Sequence, residues 1–235
     1  MTHWGSQFFL VNWFKKLPRR GRVTDAMQNT SHAVMAQRVE PASSLDDFPT
    51  PPWATRALVE YVLGKPALAS MSCLEPACGR GHMAVTLAEC FGSVTSSDVF
   101  DYGFGEVADI LTTEYEDDSF DWAITNPPYI LAEAFIQRAL KIARRGVAML
   151  TRTVFIESAG RYERLFKPNP PTVLAQFAER VTMLKGRFDK KKSTATAYAW
   201  IVWQRGRPGP RLTWIPPCRR LLERDGDYDQ RTGTQ

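Results

Sequence analysis

The 235-residue sequence is 44 % hydrophobic and 23 % charged, proportions that exclude collagen-like and wholly disordered chains. Its length allows one domain with a sizeable core. A formal net charge of +5 and a pI near 9.1 are compatible with a polyanionic partner without requiring one.

In chain order, residues 1–47 mix aromatic, basic and small polar residues without sustained periodicity and read as an irregular N-terminal arm. Its apolar run FFLVNWF (8–14) is shorter than the ~18–20 residues of a membrane span, and no small-residue cleavage site follows. KKLPRRGR (15–22) is at most a weak surface-binding element, and Met27 offers an alternative start. FPTPPWATRALVEYVL (48–63) is a proline-rich turn running into helical spacing, with Thr50 or Thr55 as the expected cap. MSCLEPACGRGH (71–82) reads as a short strand ending in a glycine-containing turn, and MAVTLAECF (83–91) as a helix. SVTSSDVFDYG (93–103) is a second strand with an acidic residue at its end. Asp109-Ile110-Leu111 then leads into the acidic loop EYEDDSFD. WAIT (122–125) is a third strand that stops at Asn126-Pro127-Pro128-Tyr129, because consecutive prolines continue neither a helix nor a central strand.

AEAFIQRALKIA (132–143) carries the apolar stripe of an amphipathic helix, and GVAMLTRTVFI (146–156) is a further buried strand. Residues 160–180 read as an irregular and helical crossover. The β-rich runs 180–188 and 196–204, separated by a lysine-rich loop, predict a hairpin, and the tail beyond 217 reads as polar and frayed. This divides the chain into an arm (1–47), a catalytic domain (48–215) and a polar tail (216–235). The alternation predicts an α/β, Rossmann-like fold: a mainly parallel sheet covered by helices on both faces, with an antiparallel hairpin near the C-terminus. Cys73, Cys78, Cys90 and Cys218 form no CxxC pair and have no histidine cluster. Neither zinc nor a disulfide framework is expected, and the setting reads as reducing.

Ligands of such sheets sit beyond the carboxyl ends of the strands, where every chemically suggestive turn falls. Gly79 and Gly81 in EPACGRGH let the backbone turn tightly against a ligand. Asp98, at the end of the next strand, can accept from both hydroxyls of a ribose, so the pair points to a nucleoside-containing cofactor.

The order FPTPP…EPACGRGH…SSDVFDYG…DIL…TNPPY resembles the S-adenosylmethionine-dependent amino-methyltransferases, in particular the N6-adenine DNA methyltransferases of phages and prophages. The resemblance covers roughly residues 31–215 and includes RTVFIESAGRYERLF and AYAWIVWQRG. It implies a class I methyltransferase domain with a seven-stranded sheet and S-adenosylmethionine as cofactor, in the cytoplasm of a bacterial or phage-infected cell. It also implies residue roles. Glu75, Ala77, Cys78, Gly79 and Gly81 would line the methionine end, with Thr50 reaching its carboxylate. Asp98 would hold the ribose, Val99 and Ile110 would flank the adenine ring, and Asp109 would accept from its amino group. A cytosine-N4 enzyme more typically has serine where this chain has Asn126.

The tetrapeptide suits that chemistry. An aryl amine is a poor nucleophile because its lone pair is delocalised into the ring. Asn126 offers a side-chain carbonyl and Pro127 a main-chain carbonyl to its two N–H bonds, and both prolines hold these oxygens in place beforehand. Tyr129 offers a flat face for an extruded base. No general base is needed for transfer from a sulfonium, which demands mainly alignment. Lys185, Arg187, Lys190, Lys191 and Lys192 are the candidate phosphate contacts, with DNA the expected partner and a base that is flipped or single-stranded. Arg138, Lys141, Arg144 and Arg145 are equally readable as a solvated helix face, and Arg152 and Glu157 as residues that orient substrate. The chain offers no free stretch of ~80–150 residues for target recognition, so a specificity partner is a further expectation. The same tetrapeptide would also serve RNA bases or a glutamine amide, and a non-catalytic nucleic-acid-binding module is the reading from another class.

Overall fold

In a computed structural model, the chain is described for residues 47–188 and 194–229, all within the unit Glu40–Gln235. The N-terminal arm and Lys190, Lys191 and Lys192 lie outside the described residues. The first helix, α1 (Pro52–Leu58), starts with proline at its first position, whose missing N–H is no loss there. Neither threonine caps it: the Thr50 hydroxyl donates to Met183 Sδ (3.9 Å), and the Thr55 hydroxyl is buried. One π-helical turn (Val59–Leu63) follows and ends at Gly64.

Next come β1 (Ser72–Glu75), α2 (His82–Ala88), β2 (Ser93–Asp98), the two-residue β3 (Glu106–Val107) and β4 (Phe120–Thr125). After them run α3 (Ala132–Ile142), β5 (Ala143–Arg152), the short α4 (Ala159–Arg161), β6 (Val173–Phe177), β7 (Tyr198–Gln204), β8 (Arg211–Ile215) and α5 (Arg219–Leu222). The strands form one sheet in the order β3-β2-β1-β4-β5-β7-β6-β8. From β3 to β5 every pair is parallel; β7 runs antiparallel to both β5 and β6, and β8 is parallel to β6.

The expected Rossmann-like α/β sheet is present, with eight strands instead of seven. The antiparallel pair near the C-terminus is also present, but the partner of β7 is Val173–Phe177 and not 180–188. The latter run forms only an isolated bridge, Leu184 with Arg187, around Gly186. Val181 and Met183 on it are buried in the core, but the chain turns back at Gly186 (φ 68°) directly after them, whereas β6 alternates buried Val173, Ala175 and Phe177 with half-buried neighbours. β8 also went unforeseen, because Leu212 and Trp214 on it are exposed and give no inward pattern.

Helices α1 and α2 cover one face, where Trp53, Leu58, Met83 and Leu87 pack with Ile124, Leu150 and Trp200. Helix α3 covers the other, packing Ile136 and Ala139 against Val147, Met149 and Ile201. The described part of the tail, to residue 229, is tied back instead of frayed. The Arg56 guanidinium, almost fully buried on α1, binds Asp227 (2.8 Å), Glu89 on α2 (2.7 Å) and the Leu222 carbonyl (2.8 Å). Among the described residues no helix is long and apolar enough to cross a membrane, and no cluster of ligand-type side chains could hold a metal ion.

At the opposite pole from the glycine turn, Asp121 pins the starts of three central strands. It accepts from Arg144 and Arg145 (both 2.9 Å) and from the Ser72 N–H (2.9 Å). Burial would raise its pKa, but the Arg144 guanidinium, the Ser72 amide and Arg145 outweigh it and hold the carboxyl down to about 2. A depressed carboxyl stabilises the fold above its ordinary pKa and loses that contribution as pH falls through the folded value. With both arginines half exposed, screening reduces the gain to about 1–2 kcal/mol. Asp121→Asn should therefore lower stability by that amount at pH 7 in urea unfolding, and the gap to the parent should close between pH 5 and pH 2. A gap independent of pH would contradict the linkage.

Candidate active site

The carboxyl ends of β1, β2 and β4 converge on one cleft of about 130 Å³. Its floor is the turn after β1. Gly79 has a φ of 51° with nothing within 4 Å of where a Cβ would stand, so the backbone itself faces the opening. Gly81, at φ 82°, is the N-cap of α2; it shapes the turn but does not line the cleft. Asp98 reaches across from β2 and accepts from the Gly79 N–H (2.9 Å) and the Phe100 N–H (3.1 Å), which locks the turn to the next strand. Burial raises the Asp98 carboxyl despite those amides, and a nearby Asp47 adds to the shift.

Glu75 is the most constrained group. It is 2 % exposed, lines the cleft, and its Oε2 has no hydrogen-bond partner among the described residues. Burial first, then the Asp98 charge, push its pKa well up. An orphaned buried carboxylate beside an open cleft is costly unless a donor or cation arrives to meet it. Cys78 contributes no nucleophile: burial pushes its thiol up to about 12, and Sγ lies 3.5 Å from the Phe104 carbonyl.

The cleft also brings together Thr50, Ala77, Val99, Asp109, Asn126 and Pro128. Asp109 closes its own turn by accepting from the Leu111 N–H (2.9 Å). Ile110 does not reach the opening, contrary to the expectation. It is fully buried against Leu74, Phe135 and Ile142, and it backs the wall through Phe135, which does line the cleft.

A second, smaller cleft of about 30 Å³ adjoins the first, and Asn126 and Phe48 line both. Pro127, Tyr129, Leu150, Thr151, Arg152 and Tyr198 complete most of its wall. The Asn126 amide is oriented by its donors: Nδ2 donates to the Phe48 carbonyl (3.1 Å) and to Met183 Sδ (3.6 Å). Its Oδ1 and the Pro127 carbonyl accept no hydrogen bond among the described residues, whereas the Pro128 carbonyl accepts from the Leu131 N–H (3.0 Å). Tyr129 is 40 % exposed, and the Arg152 guanidinium lies 4.7 Å from its ring centre. Lys185 and Arg187 are exposed on the Leu184–Arg187 turn, whose Gly186 N–H donates to the Asp47 carbonyl (2.8 Å) at the lip of the first cleft. Arg138 instead holds the Thr113 and Tyr115 carbonyls, and Arg144 and Arg145 belong to the Asp121 cluster.

Sequence reasoning missed Phe48, Met183, Thr151 and Tyr198. Phe48 acts through its main-chain oxygen, which no residue type announces, and Thr151 sits inside an apolar strand. It also missed how closely residues 104–107 pass under the cleft. At Gly105 (φ 73°) a Cβ would stand 2.7 Å from the Ser96 carbonyl oxygen and 2.9 Å from Cys78 Sγ.

Neither any protein-family model nor any curated protein sequence matches the chain. Solved structures match its fold. A methyltransferase subunit of a type I restriction-modification system from Streptococcus thermophilus superimposes with a TM-score of 0.56 at 10 % identity, over 77 % of this chain and 50 % of that one. A candidate RNA methyltransferase from Pyrococcus horikoshii gives 0.54 at 13 % identity, over 71 % of this chain and 90 % of that one. A candidate class I S-adenosylmethionine-dependent methyltransferase from Listeria monocytogenes gives 0.51 at 14 % identity, over 71 % of this chain and 65 % of that one. The chain thus spans about half of the Streptococcus subunit, and the likeness to all three is one of fold.

Gly105→Ala and Gly206→Ala form a matched pair, since Gly206 (φ 74°) has nothing within 4 Å of its Cβ position. Both variants should lose the ~1–2 kcal/mol of a left-handed non-glycine residue. Gly105→Ala should lose a further increment in thermal or urea unfolding because backbone blocks the new methyl. Equal losses would refute the close approach.

Proposed function

We propose that the chain is an S-adenosylmethionine-dependent methyltransferase whose target is the exocyclic amino group of a nucleic-acid base, with N6 of adenine in DNA as the preferred substrate. One observation carries this reading. Asn126 stands where two clefts meet, its amide donors already engaged and its carbonyl oxygen unclaimed, beside a Pro127 carbonyl that is equally unclaimed.

The first cleft fits the cofactor. The orphaned Glu75 Oε2 suits the cationic amino-acid end, the open Gly79 backbone gives close approach, Asp98 retains lone pairs for ribose hydroxyls, and Asp109 stands by for an adenine amine. When bound, the cofactor supplies an electrophilic methyl group on a sulfonium. The remaining work falls to the chain. Asn126 Oδ1 and the Pro127 carbonyl accept the two N–H bonds of the base amine, which frees its lone pair to turn toward the first cleft. The Phe48 carbonyl keeps the asparagine from rotating. Among the described residues no carboxylate or imidazole lines the second cleft, and the excess proton leaves to water after transfer.

The second cleft has room for about one water, so a base enters only by displacing something. The Arg152 guanidinium over Tyr129 is the movable part. An exposed cation–π contact is worth about 0.5–1 kcal/mol, and a stacked base about 1–3 kcal/mol, so the exchange favours the base. Lys185 and Arg187, on the turn beside Asp47, would neutralise phosphates of the same strand, together with the Lys190–Lys192 run. Choice of target sequence is left to a short element of this chain or to a partner protein.

The experiment is transfer of labelled methyl groups to duplex DNA, single-stranded DNA, RNA and protein, followed by nucleoside and amino-acid analysis. N6-methyladenine in DNA is the expected product, and a methylated glutamine would replace this reading. Asn126→Ala should keep cofactor affinity within about twofold and lower kcat by about 10²-fold or more, the loss typical of one oxyanion-type acceptor or donor. Asp98→Ala should instead weaken cofactor binding about tenfold or more in calorimetry. Normal turnover in the first variant, or unchanged affinity in the second, would remove the assigned role.

A further inference from the structure

Thr151 is the second-to-last residue of β5, lines the second cleft and is 5 % exposed. Its Oγ1 has no hydrogen-bond partner among the described residues. Its cross-strand neighbour on β7 is Ala199, which offers no polar side-chain atom. A buried hydroxyl left unpaired costs free energy that a valine of the same shape would not. Within a cleft that also holds the free Asn126 and Pro127 oxygens, the hydroxyl is a buried, unpaired donor beside Arg152 of the same strand, whose guanidinium lies over the Tyr129 ring.

Two acceptors for an amine and one donor beside them define a ligand. The amine must sit on a ring that carries an acceptor atom near it. We propose that the Thr151 hydroxyl donates to a ring nitrogen flanking the amino group of the substrate base, N1 or N7 in adenine. This inference rests on the base-methyltransferase reading above and narrows its substrate class. The cleft takes an amino-heteroaromatic ring with a neighbouring acceptor nitrogen. A glutamine amide, which has no such nitrogen, leaves Thr151 unpaired and is a poor substrate. Discrimination of this kind is large because rejection leaves a buried polar group without its partner.

The test compares the parent chain, Thr151→Val and Thr151→Ser on synthetic oligonucleotides that carry adenine, 1-deazaadenine or 7-deazaadenine at the target position. Rates are read as kcat and KM, with cofactor affinity measured alongside. The parent should lose about tenfold or more in kcat/KM on one of the two deaza analogues. Thr151→Val should lose a similar factor on adenine and be indifferent to that same replacement, with cofactor affinity unchanged. Thr151→Ser should restore most of the adenine rate. Thr151→Val should also unfold at an equal or higher temperature than the parent, because a purely structural hydroxyl would instead be missed on removal. If the parent methylates adenine and Thr151→Val does so equally well, or if neither deaza replacement matters, the Thr151 assignment falls while the methyltransferase reading stands. If the parent methylates protein and no oligonucleotide, both fall together.

Discussion

The hydrogen bond from Asn126 Nδ2 to the Phe48 carbonyl, at 3.1 Å, is the constraint on which the rest of the site depends. It joins the end of the central strand β4 to the segment entering α1, two parts of the chain 78 positions apart. A primary amide can present either its oxygen or its nitrogen to a ligand, and the difference decides what it can bind. Here the nitrogen is committed inward, to Phe48 and to Met183 Sδ, so the oxygen is the atom on offer. Met183 also receives the Thr50 hydroxyl, so the same sulfur steadies both the asparagine and the entry to α1. The rigidity of Pro127 and Pro128 sets the backbone at this point; Phe48 sets the side chain.

The two poles of the sheet are used differently. At the amino ends of the strands, Asp121 is saturated by two arginines and a main-chain amide, and its carboxyl is driven down. At the carboxyl ends burial drives both Glu75 and Asp98 up; Glu75 keeps an oxygen with no partner among the described residues, whereas Asp98 accepts from two backbone amides. Satisfied charge stabilises a fold, whereas unsatisfied buried charge lowers stability and is retained where a ligand will use it. The contrast falls at the place where parallel strands of an open α/β sheet usually meet ligands.

Much of this was legible in the sequence for a physical reason. Buried strand segments such as Trp122–Ile124 and Val147–Leu150 are apolar throughout, and glycine and proline punctuate the turns that matter, so Gly79, Asp98 and Asn126 stood out by residue type. What stayed hidden depended on partners distant in sequence. β6 looked like crossover because its inward residues include a small alanine, and β8 drew no reading because Leu212 and Trp214 on it are exposed and only Ile215 is buried. The run 180–188 imitated a strand through Val181 and Met183, which are buried in the core, yet the chain turns back directly after them at Leu184–Arg187, beside Asp47. The tail read as frayed because it is polar, but its Asp227 completes a buried ion cluster whose other members lie on α1 and α2. Ile110 shows the limit of placing residues by resemblance: one position of drift separates a wall from its backing, and Ala108 and Asp109 occupy the wall.

Charge also explains why an amide, and not a carboxylate, stands at position 126. The first cleft already gathers Asp47, Glu75, Asp98 and Asp109, against the guanidinium of Arg80 paired with Asp47, an excess of negative charge that suits a cation. Among the described residues that line the second cleft, the charged one is Arg152. On the proposed reading, a cationic methyl donor would meet the carboxylates inside the first cleft, while a polyanionic strand would meet Arg152 at the second cleft and Lys185 and Arg187 at the rim of the first. A carboxylate at the boundary would bring one more negative charge to the side that must admit phosphate, and burial beside Glu75 and Asp98 would favour its protonated form. Protonated, it would turn one acceptor oxygen into a donor and compete with the amine it should receive. The asparagine oxygen accepts without charge and keeps the same hydrogen-bonding character across the pH range, which makes it the group that can face both ligands at once.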